Sequence, residues 1–312
     1  MNEPKEPIYT LSHGEGAIRV VAMFTVGTSY EAEAGKFIAS LLDHDQPFYI
    51  EALPKSEDWD AAVAQKPHVI DRALMKFNTP ILFVDVDAWF HRPVLNEAMA
   101  IAMECDFAAH WFQGPDGGFH PRNDDKMLSG TMIWRPTFEA FKLLYRWKAL
   151  NYEKKDGGGQ VNLEAVLHED PRLKIFRLPG RWTRVYNKPQ FYPDNEPVWI
   201  EHSCASRENR GNSKGATYPG RKEFIDSLVP EFQPEFIIAP NRGEFGLKCC
   251  YHAPAVHAID GPKLVFHEPG EEVLYPSATR RVLVSPQDDH ERRGMVDRSK
   301  VVPISLKDIS RA

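Results

Sequence analysis

From residue 18 to residue 88 the apolar positions fall into blocks of two alternating periods. "IRVVAMFT" (18–25) is β-branched and apolar after Arg19, which predicts a buried strand. Gly27, Thr28 and Ser29 break it, and Ser29 is placed to cap the next helix. Phe37, Ile38, Leu41 and Leu42 recur at helical spacing, and "PFYIEAL" (47–53) predicts a second strand. Pro67 opens another helix, with Val69, Ile70, Ala73, Leu74 and Phe77 on one face. "ILFVDVD" (81–87) is the third strand. Strand alternating with helix in this way is the mark of a parallel α/β sheet covered by helices on its faces.

Further along, "DFAAHWF" (106–112), "GTMIWRP" (130–136) and "VWIEH" (198–202) predict strands. The polar, Gly-rich stretch between the first two is too long for a simple turn and predicts a functional loop. "PTFEAFKLLYRWKAL" (136–150) predicts a helix with Phe138, Phe141, Leu144 and Tyr145 turned inward, and "GGGQVNLEAVL" (157–167) enters another from a flexible lead. Beyond about residue 220 short strand patterns such as "EFIIAP", "KLVFHE" and "RRVLVS" alternate with Pro/Gly turns. The expected division is an α/β domain over 1–220 and a β-rich extension with a charged tail over 221–312.

Composition narrows the function classes. The 312 residues suffice for one large domain with an appendage, and the net charge of −6 excludes a surface built as a whole to attract nucleic acid. No apolar run is long enough to span a membrane. The first sixteen residues lack the basic and apolar blocks of a signal peptide. Cys105, Cys204, Cys249 and Cys250 form no CxxC pair, so zinc is not indicated, and few scattered thiols point to a cytoplasmic protein.

The chemistry concentrates at Asp85 and Asp87, where four apolar residues, Ile81 to Val84, run into two carboxylates one residue apart. Burying either one unpaired costs on the order of several kcal/mol, so a positive group belongs there. On an extended backbone the two point to the same side. Hard cations such as Mg²⁺ and Mn²⁺ take carboxylate oxygens and leave positions for phosphate. The alternative is that one aspartate caps a turn while the other pairs with Arg92 or a lysine. Dehalogenase-type phosphatases also place such a pair at a strand end. Theirs lies on the first strand, however, and is followed two residues on by Thr or Val; here two strands and two helices precede it and that residue is Trp89.

"VVAMFTVGTSY", "KPHVIDRALMKFNTPILFVDVDAWFHRPV", "LSGTMIWRPT" and "GGGQVNLEAVL" followed by "EHSCASR" occur in that order over roughly residues 18–210. Together they resemble a GT-A fold glycosyltransferase that uses nucleotide sugars, nearest the retaining families that include glycogenin and bacterial galactosyltransferases. The resemblance implies a mixed Rossmann-like sheet with helices on both faces. It implies that Asp85, Asp87 and His202 hold Mn²⁺ or Mg²⁺, with Asp85 reaching the ribose or bridging through the metal, and that the carboxylates and Gln160 form the catalytic set. Donor binding then falls to Thr25 and Tyr30, which stacks on the base, to Lys66, Arg72 and Arg207 at the phosphates, and to Ser129, Gly130 and Thr131 at the sugar. Trp134 and Trp111 face either a sugar ring or the core, and His110 is a hydrogen-bonded neighbour. The sequence departs from the family at Gly159, where an Asp is usual, and Asp156 is the nearby carboxylate that would substitute.

The implied reaction transfers a sugar from a nucleoside-diphosphate sugar to a hydroxyl. Inversion requires a protein base, for which Asp124, Asp125 and Glu164 are candidates; retention lets the leaving phosphate take the proton. Retention is the preferred reading. Residues 172–222 hold eleven Lys/Arg against four acids, with Phe176, Trp182, Tyr186, Phe191 and Tyr192 interleaved. That pattern suits either a solvated surface balanced by acids folded nearby or a groove for a polyanionic acceptor, a phosphorylated or acidic glycan ranked first and a nucleic acid with a hydroxylated base second. The other functions weighed are a phosphatase using Asp85 as nucleophile and a non-catalytic nucleotide-sugar-binding module.

Overall fold

The computed structural model describes residues 4–57, 59–111, 127–154, 158–186 and 197–205, and the backbone of three short strands beyond them. The strands are β1 (Tyr9–His13), β2 (Arg19–Thr25), β3 (Phe48–Leu53), β4 (Ile81–Val84), β5 (Ala88–Phe90), β6 (Phe107–Trp111), β7 (Met127–Trp134), β8 (Ile175–Arg177), β9 (Arg184–Val185), β10 (Ile200–His202), β11 (Ala239–Pro240), β12 (Leu247–Lys248) and β13 (Leu283–Pro286). The helices are α1 (Tyr30–Asp43), α2 (Trp59–Val63), α3 (Lys66–Phe77), α4 (Leu95–Glu104), α5 (Phe138–Glu153) and α6 (Gly158–Val166). The expected boundary near residue 220, the charged tail and most of the Gly-rich loop lie outside the described residues.

The main sheet is mixed, in the order β13-β1-β3-β2-β4-β7-β6-β8. Its centre, β3-β2-β4, is parallel. β7 runs antiparallel to both β4 and β6. β13 pairs with β1, so a strand from the C-terminal region forms one edge. A second sheet joins β5, β10 and β9. All four residues of β4 are buried, as a central strand covered on both faces requires. On one face lie Phe37, Ile38 and Leu41 of α1 and Ala98 and Ala102 of α4. On the other lie Val69, Ile70, Ala73 and Leu74 of α3 with Leu143, Leu144 and Trp147 of α5. The sequence periodicity placed α3 correctly. On α5 it was right for Leu144 and Phe141 but wrong for Phe138 and Tyr145, which are 70% and 68% exposed, while Ala140 and Trp147 are buried. Trp134 and Trp111 are core, and Trp134 stacks on Trp147 with an interplanar angle of 4°. β1, α2, α4, β5, β8 and β9 were not anticipated.

Two details of the sheet set the geometry of its carboxyl edge. The first is that β2, β3 and β4 end on one edge, which collects Thr25, Leu53 and Asp85. The second is a register shift between β6 and β7: Ala109 faces Met132 but His110 faces Leu128. Ser129, Gly130 and Thr131 therefore bulge away from β6, while Thr131 still pairs with Val84 of β4. A bulge bends the strand and re-aims its side chains.

Candidate active site

β4 stops at Val84, and Val86 and Asp87 form a turn, so the two aspartates do not lie on one extended strand as the spacing suggested. Backbone bonds explain the turn. The Asp85 N–H donates to Gly130 O at 2.8 Å, which still belongs to the β4–β7 edge. Two residues later the Asp87 carbonyl accepts from Ser203 N–H at 2.7 Å, drawing the chain towards β10. The Asp87 carboxylate is held by the Ala205 N–H through Oδ2 at 2.9 Å, and its Oδ1 lies 3.7 Å from His202 Nδ1. Between these two donating amides sits Cys204, a non-glycine residue at φ 58°, a strained conformation of the sort found where a chain wraps a functional group.

The positive partner of Asp85 is Lys66, the first residue of α3, with Nζ 2.7 Å from Oδ1 and 2.8 Å from Oδ2. Lys66 is buried, whereas the Asp85 side chain stays 31% exposed, so the pair is open on the carboxylate side. The two carboxyls are pushed apart in acidity. Burial raises the Asp85 pKa, the Asp87 charge adds to the rise, and Lys66 only partly opposes it. At Asp87 burial also raises, but His202, Lys66 and the Ala205 N–H together outweigh it and hold the group below the usual carboxylate range.

His202 is placed by its strand and by glycine. It pairs with Ala88 of β5 and Val185 of β9, and its ring lies against Gly130. A Cβ at residue 130 would stand 2.9 Å from His202 Cε1. Gly130 thus supplies room for the imidazole. The buried Thr131 hydroxyl bonds His202 Nε2 at 2.8 Å, which orients the ring and leaves Nδ1 facing Asp87. Among the described residues no three His, Cys, Asp or Glu side chains come close enough to hold a metal ion together. The donors fit a hard divalent cation in kind: carboxylate oxygens and an imidazole nitrogen whose other nitrogen is already bonded. Two adjacent ligands of an octahedral Mg²⁺ stand about 3 Å apart, and the Asp87–His202 gap of 3.7 Å is slightly wider.

The remaining expected residues divide. Thr25 lies at the same edge, its Oγ1 3.1 Å from that of Thr28. Ser29 occupies the N-cap of α1 without a side-chain cap bond; Glu31 instead accepts from Gly27 N–H at 3.0 Å. Tyr30 opens α1 and its hydroxyl accepts from Trp59 Nε1–H at 3.3 Å, so Trp59 is a neighbour the sequence did not flag. Ser129 is buried in the bulge, and its N–H donates to Gln160 Oε1 at 3.3 Å. Arg72 is not brought to the carboxylates. It sits on α3 well beyond Lys66, and its guanidinium binds Glu51, in the middle of β3, through Nε at 3.1 and 3.2 Å and an NH2 group at 2.5 Å. Gly159 has its own reason for lacking a side chain, because a Cβ there would meet Val63 Cγ1 at 2.9 Å. His110 Nδ1 bonds Leu178 O at 2.8 Å. Arg207, Asp156, Asp124 and Asp125 lie outside the described residues.

Comparison with known proteins shows the family. Residues 20–207 match the family described as nucleotide-diphospho-sugar transferase, and the chain belongs to that family. Its fold is accordingly that of the GT-A transferases. It is similar in structure to a glycosyltransferase involved in glycosylation of the major capsid of PBCV-1, at 17% identity and TM-score 0.46, covering 62% of this chain and 96% of that one. It is also similar to mouse xyloside xylosyltransferase 1, at 13% identity and TM-score 0.38, covering 61% and 98%. The galactosyltransferase LgtC, solved with donor and acceptor sugar analogues, matches at 12% identity and TM-score 0.40, covering 67% and 94%. No curated protein matches the chain by sequence. Among the described residues no helix is long and apolar enough to cross a membrane.

Proposed function

We propose that this transferase is metal-dependent and moves a hexose or pentose from a nucleoside-diphosphate sugar to a hydroxyl acceptor, with retention at the anomeric carbon. The observation that carries this reading is the meeting of Asp85, Asp87 and His202 at the carboxyl edge of β4, where open α/β sheets bind their ligands. Asp87 and His202 would hold Mn²⁺ or Mg²⁺, with Asp85 beside them. A cation there neutralises the charge that develops on the departing diphosphate. Lys66 stands ready to exchange part of its bond to Asp85 for a donor oxygen. Thr25 and Tyr30 line the side taken by the nucleoside, and Ser129 and Gly130 offer a small surface to the sugar. Thr131 acts through His202. Retention needs no protein base, and of the candidate bases Glu164 already accepts from Met127 N–H at 2.7 Å and from Gln160. The leaving phosphate then takes the acceptor proton.

The family favours sugar transfer over a phosphatase using Asp85 as nucleophile. For the acceptor, a saccharide remains first and a hydroxylated DNA base second. The basic segment is less free than its charge count implies. Arg172 pairs with Asp170, Arg177 lies over Trp111, and Arg181 lies over Trp199. Among the described residues Cys105 and Cys204 are thiols not joined in a disulfide, which fits a reducing, cytoplasmic setting.

The test is a thermal-shift screen of UDP, GDP, ADP, CDP and their sugars, with and without Mn²⁺. At 100 times its dissociation constant, a ligand specific for the native state adds about 2.7 kcal/mol. One nucleotide that stabilises strongly only with metal is the expected result; equal shifts with and without Mn²⁺ would rule out a metal requirement.

A further inference from the structure

Two backbone amides of β7, Met127 at its start and Ser129 in the bulge, are bonded by side chains of α6. Ser129 N–H donates to Gln160 Oε1 at 3.3 Å, and the Ser129 hydroxyl lies 3.5 Å from the same oxygen. Met127 N–H donates to Glu164 Oε1 at 2.7 Å, and Gln160 Nε2 donates to that oxygen at 3.3 Å. Gln160 and Glu164 are one helical turn apart, so one face of α6 covers the bulge. The helix that presents them is itself pinned. Trp147 Nε1–H donates to Gly159 O at 2.6 Å, Asn162 donates to Asn151 at 2.9 Å, and Val63 packs where a Gly159 side chain would be.

What the bulge carries is the metal-facing edge. Gly130 O receives the Asp85 N–H, Gly130 Cα makes room for His202, and Thr131 Oγ1 orients the imidazole. We propose that Gln160 and Glu164 are positioning residues: they clamp the β7 bulge from α6 and so set Gly130 and Thr131 against His202 and Asp85. In this role Glu164 is an acceptor of backbone and amide hydrogens, not a base, and Gln160 works through Ser129. The consequence for catalysis rests on the transferase reading above; the clamp itself does not.

The substitutions Glu164→Ala, Glu164→Gln and Gln160→Ala separate these roles. Glutamine at 164 keeps an acceptor oxygen for Met127 but has no useful basicity. Amide hydrogen exchange is followed by mass spectrometry on peptides covering 127–134, without ligand. Glu164→Ala and Gln160→Ala should exchange about tenfold or more faster there, with Glu164→Gln within about threefold of the parent chain. Binding of UDP, GDP, ADP and CDP with Mn²⁺ is measured in parallel, and nucleotide-sugar turnover for whichever binds. Affinity and turnover should fall together, by about tenfold or more, in the alanine variants and be rescued by Glu164→Gln. Unchanged exchange in both alanine variants would overturn the clamp. So would loss of turnover in Glu164→Gln with exchange and binding intact, which would make Glu164 a base. If the unaltered protein binds none of the four nucleotides with Mn²⁺, the donor reading fails, and the exchange measurement still decides the clamp. Should Glu164→Ala fail to fold, Gln160→Ala carries the same comparison.

Discussion

Two of the cation–carboxylate pairs on helix α3, Lys66–Asp85 and Arg72–Glu51, serve different ends. Glu51 is fully buried in mid-sheet, faces a forked guanidinium, and accepts a further bond from the Tyr49 hydroxyl at 3.2 Å. Both of its oxygens meet donors, and the pair is closed. Asp85 sits at the sheet's edge with 31% of its side chain exposed, meets a lysine that can bond elsewhere, and has a second carboxylate and a histidine beside it. A closed pair orders the fold, whereas an open pair beside further ionisable groups is the better candidate to accept something more.

The sharpest way to break this contrast is at Asp87. Asp87→Ala should weaken Mn²⁺-dependent nucleotide binding by about 100-fold or more, measured by calorimetry, because the proposed ligand and the partner of the Ala205 N–H are both lost. Its stability should fall by only about 1–3 kcal/mol. Glu51→Ala should do the reverse. It strands a largely buried arginine and should cost about 3–5 kcal/mol in a urea titration, while the protein that remains folded binds nucleotide as before. Gly130→Ala is subtler. The added methyl must displace the His202 ring, so metal-dependent binding should weaken by about tenfold at nearly unchanged melting temperature.

A fainter signal should come from His68, on α3 between the two pairs. Burial, helped by Lys148 and Arg72, lowers its pKa to about 4. The unfolded chain therefore binds more protons than the folded one between the ordinary value of about 6.5 and about 4. Stability is full above about pH 6.5 and declines as pH falls towards 4. His68→Gln should flatten that part of a melting-temperature profile, and an unaltered slope would assign the acid loss to other groups.

The same two pairs mark how far the sequence alone could be read. The central strands and α3 are local patterns, runs of apolar residues at a fixed period, and they were legible; the spacing of Asp85 and Asp87 drew attention to the edge but not to the turn between them. Part of the face of α5 was not legible, because Phe138 and Tyr145 are large and apolar yet left outside, while Ala140 lies within. Lys66 and Arg72 look alike in sequence as basic residues near an acidic motif. Only the fold shows that one reaches the edge and the other reaches Glu51 in mid-sheet. The clasp on Asp87 from Ser203 and Ala205 carried no sequence signal, since every residue but proline has an amide to offer. Trp59 had a weaker one, an aromatic in a short amphipathic run.

Whether the open edge around Asp87 and His202 takes a metal–diphosphate complex can be decided by calorimetry. The best-binding nucleoside diphosphate is titrated into the protein and into Asp87→Asn, each with Mn²⁺ and with EDTA. Tight binding is expected for the unaltered protein with Mn²⁺ alone, and binding about 100-fold or more weaker in the other three titrations. Equal affinity in EDTA, or in Asp87→Asn with Mn²⁺, would show that the edge does not bind its nucleotide through a metal held by Asp87.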